Sequence, residues 1–203
     1  MASSLGGRST GRMRVRTVAR CDDGEVTRSD THNLLLGDWA CLGILYPART
    51  HGFAIAARLK PTGDIGRIWS LSRPLTYRSV EHLIAAGDAQ PVGEEPGLAG
   101  GNRTILAATR TGRARLRTWL DTPVTHLRDL RSELLLKLVI AESCNIDVSA
   151  MLTRQRDVIE ALAATITEQA DQAARSGSTD VVALWRSESS QAALRFLERV
   201  RKG

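Results

Sequence analysis

Apolar residues return every three or four positions through most of this chain, and the stretches where that rhythm stops mark its joints. Residues 33–46 (NLLLGDWACLGILY) predict a first helix, with Leu35, Trp39, Leu42 and Tyr46 in one stripe. Leu36, Gly43 and Ile44 widen the stripe past a single face, and a helix apolar on more than one side must bury against two bodies. Pro47 stops it. Residues 51–59 predict a short second helix with Ile55 and Leu59 inward, closed before Pro61. Residues 72–87 (SRPLTYRSVEHLIAAG) predict a third, with Ser72 as N-cap and Gly87 as stop. Pro74 stands in its first turn, where a missing N–H is harmless. Val80, Leu83 and Ile84 face a core, and Arg73, Arg78, Glu81 and His82 face outward, with Thr76 and Tyr77 at the boundary.

Between residues 88 and 109 the spacing changes. Residues 89–92 and 103–107 read as short strands on either side of EEPGLAGGN, which is too rich in glycine for a helix and suits a hairpin with a loose tip. A helix follows over 111–120, carrying Leu116, Trp119 and Leu120 and ended by Pro123. The dense apolar run in 127–142 predicts a buried helix. Residues 149–175 predict a long one, with Leu152, Val158, Ile159, Leu162 and Ile166 inward, and 180–201 close the chain after a turn at 176–178. Two terminal helices with only a thin body to pack on call for a partner chain.

The order helix, helix, helix, ribbon is that of a winged helix-turn-helix module, whose third helix enters the major groove while the ribbon reaches the flanking backbone. The expected class is therefore mainly α: a winged domain over 31–120, with three helices and a two-stranded β wing, then an α-helical dimerisation domain over 121–203. Residues 1–30 are polar, aperiodic and rich in Gly, Ser and Arg, and read as a disordered basic arm. Met13 offers a second translation start within it.

Charge sharpens this division. The chain of 203 residues carries +6, but residues 1–120 hold 17 Lys and Arg against 10 Asp and Glu, and residues 121–203 hold 11 against 12. The positive excess belongs to the N-terminal part, which points to a polyanion partner there. Arg73 and Arg78 are candidates for reading guanine or gripping phosphate, and Tyr77 for a phosphate or thymine methyl. Thr76 and His82 on the same helix and Arg103 and Thr104 on the wing complete the expected DNA-binding set. Arg110, Arg113, Arg115 and Arg117 follow without an intervening acid. They cannot all face DNA from one helix, so some belong to a solvated face.

Catalytic chemistry is hard to assemble. His32, His51, His82 and His126 are scattered, no nucleophile elbow or phosphate loop occurs, and GLAGG at 97–101 lacks the strand-then-helix setting of a nucleotide site. The expectation is a non-enzyme with no cofactor and no metal. Cys21, Cys41 and Cys144 match no zinc motif and no disulfide framework, which sets the expected compartment as the reducing cytoplasm. No apolar run approaches a membrane span.

Several of these stretches resemble the PadR-like transcriptional regulators. LGILYPARTHGFAIAARL contains the apolar helix ending before a His51–Gly52–Phe53 turn, LTYRSVEHLIAAG the Tyr77-centred helix ending in Gly87, and GGNRTILAATRTGR the wing and a Thr-x-x-Gly-Arg opening at 109–113. RDLRSELLLKLVIA and WRSESSQAALRFLERV resemble the C-terminal helical domain of the branch in which it is longer. Arg78 stands where the family often has proline, and Ile105 and Leu106 replace aromatics on the second wing strand. The resemblance implies a homodimeric repressor on an inverted-repeat operator of double-stranded DNA, responsive to a small aromatic or lipophilic effector. Trp39 and Trp119 are the candidate effector-pocket residues, between the winged domain and the C-terminal helices. The competing expectation is a winged-helix protein–protein interaction module without specific DNA binding, which would show a covered Arg73/Arg78 face.

Overall fold

The computed structural model describes residues 34–97, 101–175 and 180–201. The arm expected over 1–30 and the turn at 176–178 lie outside the described residues, as does part of the wing tip. Helix α1 (Leu36–Leu45), strand β1 (Thr50–His51), helices α2 (Gly52–Arg58) and α3 (Arg73–Ala85), and strands β2 (Ala89–Pro96) and β3 (Asn102–Ala108) come first. Helices α4 (Arg110–Asp121), α5 (Leu135–Ser143), α6 (Ser149–Arg175) and α7 (Val181–Val200) complete the chain. This is a winged-helix body followed by an α-helical C-terminal part.

The wing is longer and better anchored than its sequence suggests. Strands β2 and β3 pair antiparallel from Ala89↔Ala108 to Pro96↔Asn102, with a bulge between Pro91 and Gly93 that leaves Val92 unpaired. Pro91 and Gly93 are poor strand residues, so the sequence ends the first strand at Val92, whereas a bulge lets pairing resume beyond it. The two-residue strand β1 adds a third, unforeseen member through Thr50↔Leu106 and His51↔Ile105, giving the order β1-β3-β2. So short a strand has no periodicity to reveal it.

Helix α1 lies at the centre, with Ala40, Cys41, Leu42 and Leu45 fully buried and Ile44 nearly so. Its capping is unusual: Leu35 occupies the N-cap, and the Asp38 carboxylate reaches back to accept from the Leu35 N–H at 2.9 Å. Burial pushes the Cys41 thiol well above its ordinary pKa, which suits a packing role.

Two apolar clusters hold the molecule together. The first joins α1 to Ile55, Leu59, Ile65, Val80, Leu83, Leu106, Leu116 and Leu120, and α5 inserts Leu136, Ile140 and Ala141 into it. An added Cβ on Gly43 would lie 2.8 Å from Ile140, so α1 and α5 touch backbone to side chain. The second cluster joins Val124, Leu134, Met151, Leu152, Ile159 and Leu197. Packing is thus continuous from the winged helices into α5.

The helix expected over 127–142 is divided. A 3-10 turn at Leu127–Asp129 and a π turn at Leu130–Leu134 precede α5. Hydrophobic spacing is read on a period of 3.6 and is blind to one residue inserted by a π turn. Between α4 and this segment, Gln155 of α6 fastens the connector. Its side-chain oxygen accepts from the Val124 N–H at 2.6 Å, and its amide donates to the Val124 carbonyl at 2.8 Å, all buried. No helix among the described residues is long and apolar enough to cross a membrane.

Two stability outcomes are expected. The third residue of α4, Gly112, has no room for a side chain, because a Cβ there would sit 2.1 Å from the Asp88 carbonyl oxygen. Gly112→Ala should therefore lower stability by about 2 kcal/mol, despite the roughly 1 kcal/mol gained in helix propensity; urea denaturation showing a gain would refute the close approach. Gln155→Ala strands a buried N–H and a buried carbonyl, at about 1–3 kcal/mol each. A fall of about 2–4 kcal/mol in the same measurement is expected, and a change under about 0.5 kcal/mol would refute the clamp.

Candidate nucleic-acid interface

Helix α3 is built to stand out from its support. Ser72 occupies the N-cap position, although its hydroxyl makes no capping bond, and Pro74 sits in the first turn. At the other end Gly87, with φ +73, allows the chain to reverse, and the Asp88 N–H donates to the Leu83 carbonyl at 2.9 Å. Thr76, Ser79, Val80 and Leu83 turn inward. Arg73, Tyr77, Arg78 and Glu81 are exposed.

Two residues of the expected reading set turn out to serve the inside of the helix. Thr76 is fully buried and its hydroxyl donates to the Ser72 carbonyl at 3.1 Å, so it does not reach the outer face. A residue at the edge of a helical wheel is assigned a side only by what packs there. His82 faces α1, its Nδ1 2.8 Å from the Asp38 carboxylate, itself almost wholly buried. Conversely, Ile84, expected in the core, is 37% exposed and lines the groove between α3 and the wing.

That groove, about 720 Å³, brings Arg73, Tyr77, Arg103 and Thr104 together with His51 and Phe53. The Arg73 guanidinium lies 5.4 Å from the Phe53 ring centroid and 5.8 Å from that of Tyr77, within cation–π range. Phe53, 53% exposed, is a member of this surface that hydrophobic spacing does not single out. The signal for it was an aromatic placed directly after His51–Gly52 at the start of a helix.

Arg103 sits on β3 opposite Glu95, and Thr104 opposite Glu94, which accepts from the Asn102 amide at 2.8 Å. The wing is therefore of mixed charge. The Arg103 guanidinium comes within 3.4 Å of His51 Nε2, while His51 Nδ1 accepts from the Ala54 N–H at 3.2 Å and caps α2.

The arginines of α4 are spent elsewhere. Arg113 donates to the Tyr46 carbonyl and lies 5.2 Å over the Tyr46 ring, and Arg117 donates to the Tyr46 hydroxyl at 2.6 Å. Arg115 donates at 2.7 Å to the carboxylate of Asp88, which is 1% exposed. Three of the four cations that the sequence places beside the wing instead tie α4 to the end of α1 and the start of β2.

Trp39 and Trp119 stack on each other, centroids 4.8 Å apart and planes 5° from parallel. Arg115 lies 5.9 Å from the Trp39 ring and Lys137 Nζ 5.0 Å from that of Trp119. Lys137 is fully buried, donating to the Thr122 carbonyl at 2.6 Å and to Glu133 at 2.9 Å. Burial lowers its amine pKa, with Glu133 opposing. The tryptophans expected at an effector pocket are occupied with one another and with these cations.

No protein-family model and no curated protein sequence matches the chain. Solved structures do. Bacillus subtilis PadR in complex with operator DNA is 17% identical at a TM-score of 0.41, covering 81% of this chain and 97% of that one. The protein smu.1604c from Streptococcus mutans is 18% identical at 0.40, covering 83% and 100%. The PadR-like transcriptional regulator BC1756 from Bacillus cereus is 19% identical at 0.35, covering 82% and 96%. These are proteins the chain is similar to, whereas its winged-helix architecture is read from its own helix order and strand register.

Proposed function

We propose that the chain is a sequence-specific DNA-binding transcriptional regulator of the PadR-like type, acting in the cytoplasm as a homodimeric, ligand-responsive repressor. The observation that carries the reading is the exposed Arg73–Tyr77–Arg78 face of α3, flanked across one groove by Arg103 of the wing. Arg73 is held over two aromatic rings, which presets its direction and reduces the entropy lost on gripping a base edge or phosphate. Two such helices about 34 Å apart would enter successive major grooves on one side of a duplex. The exposed Val181, Val182 and Leu184 at the start of α7 offer a second copy its surface. A ligand would act by favouring a dimer in which the two helices miss that spacing.

Glu94 and Glu95 beside Arg103 favour a second reading, in which the same groove docks a protein of mixed charge. The exposure of Arg73 and Arg78 speaks against it, since that reading expects the cationic face to be covered.

Mobility shift against the DNA upstream of the chain's own gene, with and without excess random DNA, separates the two. Arg73→Ala should weaken binding to the specific site by about tenfold or more, in line with roughly 1–3 kcal/mol for a base contact, and weaken random-DNA binding far less. Equal losses on both DNAs would refute base reading. Arg103→Gln should leave sequence preference intact and reduce the slope of log affinity against log salt by about 1, and an unchanged slope would remove the wing from the phosphate contacts.

A further inference from the structure

Between residues 127–135 and α7 lies a cavity of about 630 Å³, within the size range of small-molecule sites. Its floor is apolar, with Leu134 and Leu197 almost fully buried, and Phe196 and Trp185 are 37% and 72% exposed along its open side. Three arginines line it, Arg128, Arg131 and Arg186, and among the described residues no carboxylate does. Arg128 comes no nearer than 3.7 Å to Asp129, with its side chain 81% exposed, so that pair neutralises little.

The cavity wall also contains the π turn at Leu130–Leu134. Such turns are rare and are frequent at functional sites. Here the wide turn supplies the groove with Leu130, Leu134 and Arg131 from five successive residues.

We propose that this groove binds a single-chain amphiphile with an anionic head, of the fatty-carboxylate class. The tail would cover Leu130, Leu134 and Phe196, and the head would meet the arginines, in a charge-assisted contact that a neutral head cannot make. A second copy of α7 would bring charges of both signs, Glu188 and Glu198 beside Arg186, Arg195 and Arg199, whereas the cations lining the groove call for an anion. The inference is independent of DNA binding and places a ligand site away from the Trp39–Trp119 stack.

Titration of the full chain with laurate below its micelle concentration, followed by calorimetry and by tryptophan emission, tests it, with dodecanol and dodecylamine as comparators. Saturable binding of laurate at least tenfold tighter than dodecanol, with an emission change that Trp185→Phe abolishes, is the expected result. Arg131→Gln combined with Arg186→Gln should weaken laurate tenfold or more and leave dodecanol unchanged. Equal affinity for laurate, dodecanol and dodecylamine, or no effect of the double substitution, would overturn the proposal. So would a dimer that shields Trp185 from iodide quenching at every concentration and leaves laurate without effect.

Discussion

Helix α1 has almost no surface to spare, and the rest of the molecule is arranged around satisfying it. Eight of its ten residues are buried, so α3, α4 and α5 must each supply a complementary face. They do so by different means. Helix α3 adds the His82–Asp38 contact to its apolar packing. Helix α4 brings Trp119 against Trp39, and α5 lays Ile140 on Gly43. A core element covered on every side fixes its neighbours more strictly than an amphipathic one, because none of them can rotate without opening a void. The outward face of α3 is thereby set by what its inward face must fill.

The same constraint redistributes charge. The N-terminal part's cationic excess suggests a broad basic surface, yet Arg113, Arg115 and Arg117 end on Tyr46 and Asp88. Guanidinium groups suit this role, since they satisfy carbonyl, hydroxyl and carboxylate acceptors while stacking on rings. The cations left at the groove beside the wing are few, and Arg73 is oriented by Phe53 and Tyr77.

Much of the fold was legible because it is written in local terms. Proline after α1, Gly87 after α3 and the 3.6-residue spacing through α6 are signals within a few positions of what they determine. The outward placement of Arg73, Arg78 and Glu81 followed from the same wheel. What escaped depends on partners far away in sequence. Arg117 and Tyr46 are 71 residues apart, and Gln155 and Val124 are 31 apart, so no window of local periodicity holds both. Thr76 lies at the margin of the wheel, where the neighbour that claims it decides, and His82, read as outward, is drawn toward α1 by Asp38, 44 residues away. Strand β1, the bulge after Pro91 and the π turn before α5 are each too short, or too far from the standard periods, to leave a pattern.

The fastening of Val124 by Gln155 has a mechanical meaning. A connector between a winged body and the helices that follow it is the natural place for a swivel, and here its backbone is gripped from both sides by one amide, while Lys137 holds the Thr122 carbonyl just before it. The connector is therefore a strut. Helix α6, 27 residues and about 40 Å long at 1.5 Å per residue, is in effect a lever rigidly mounted on the winged body. A tilt of that lever would be passed through Gln155 to the segment that leaves α4.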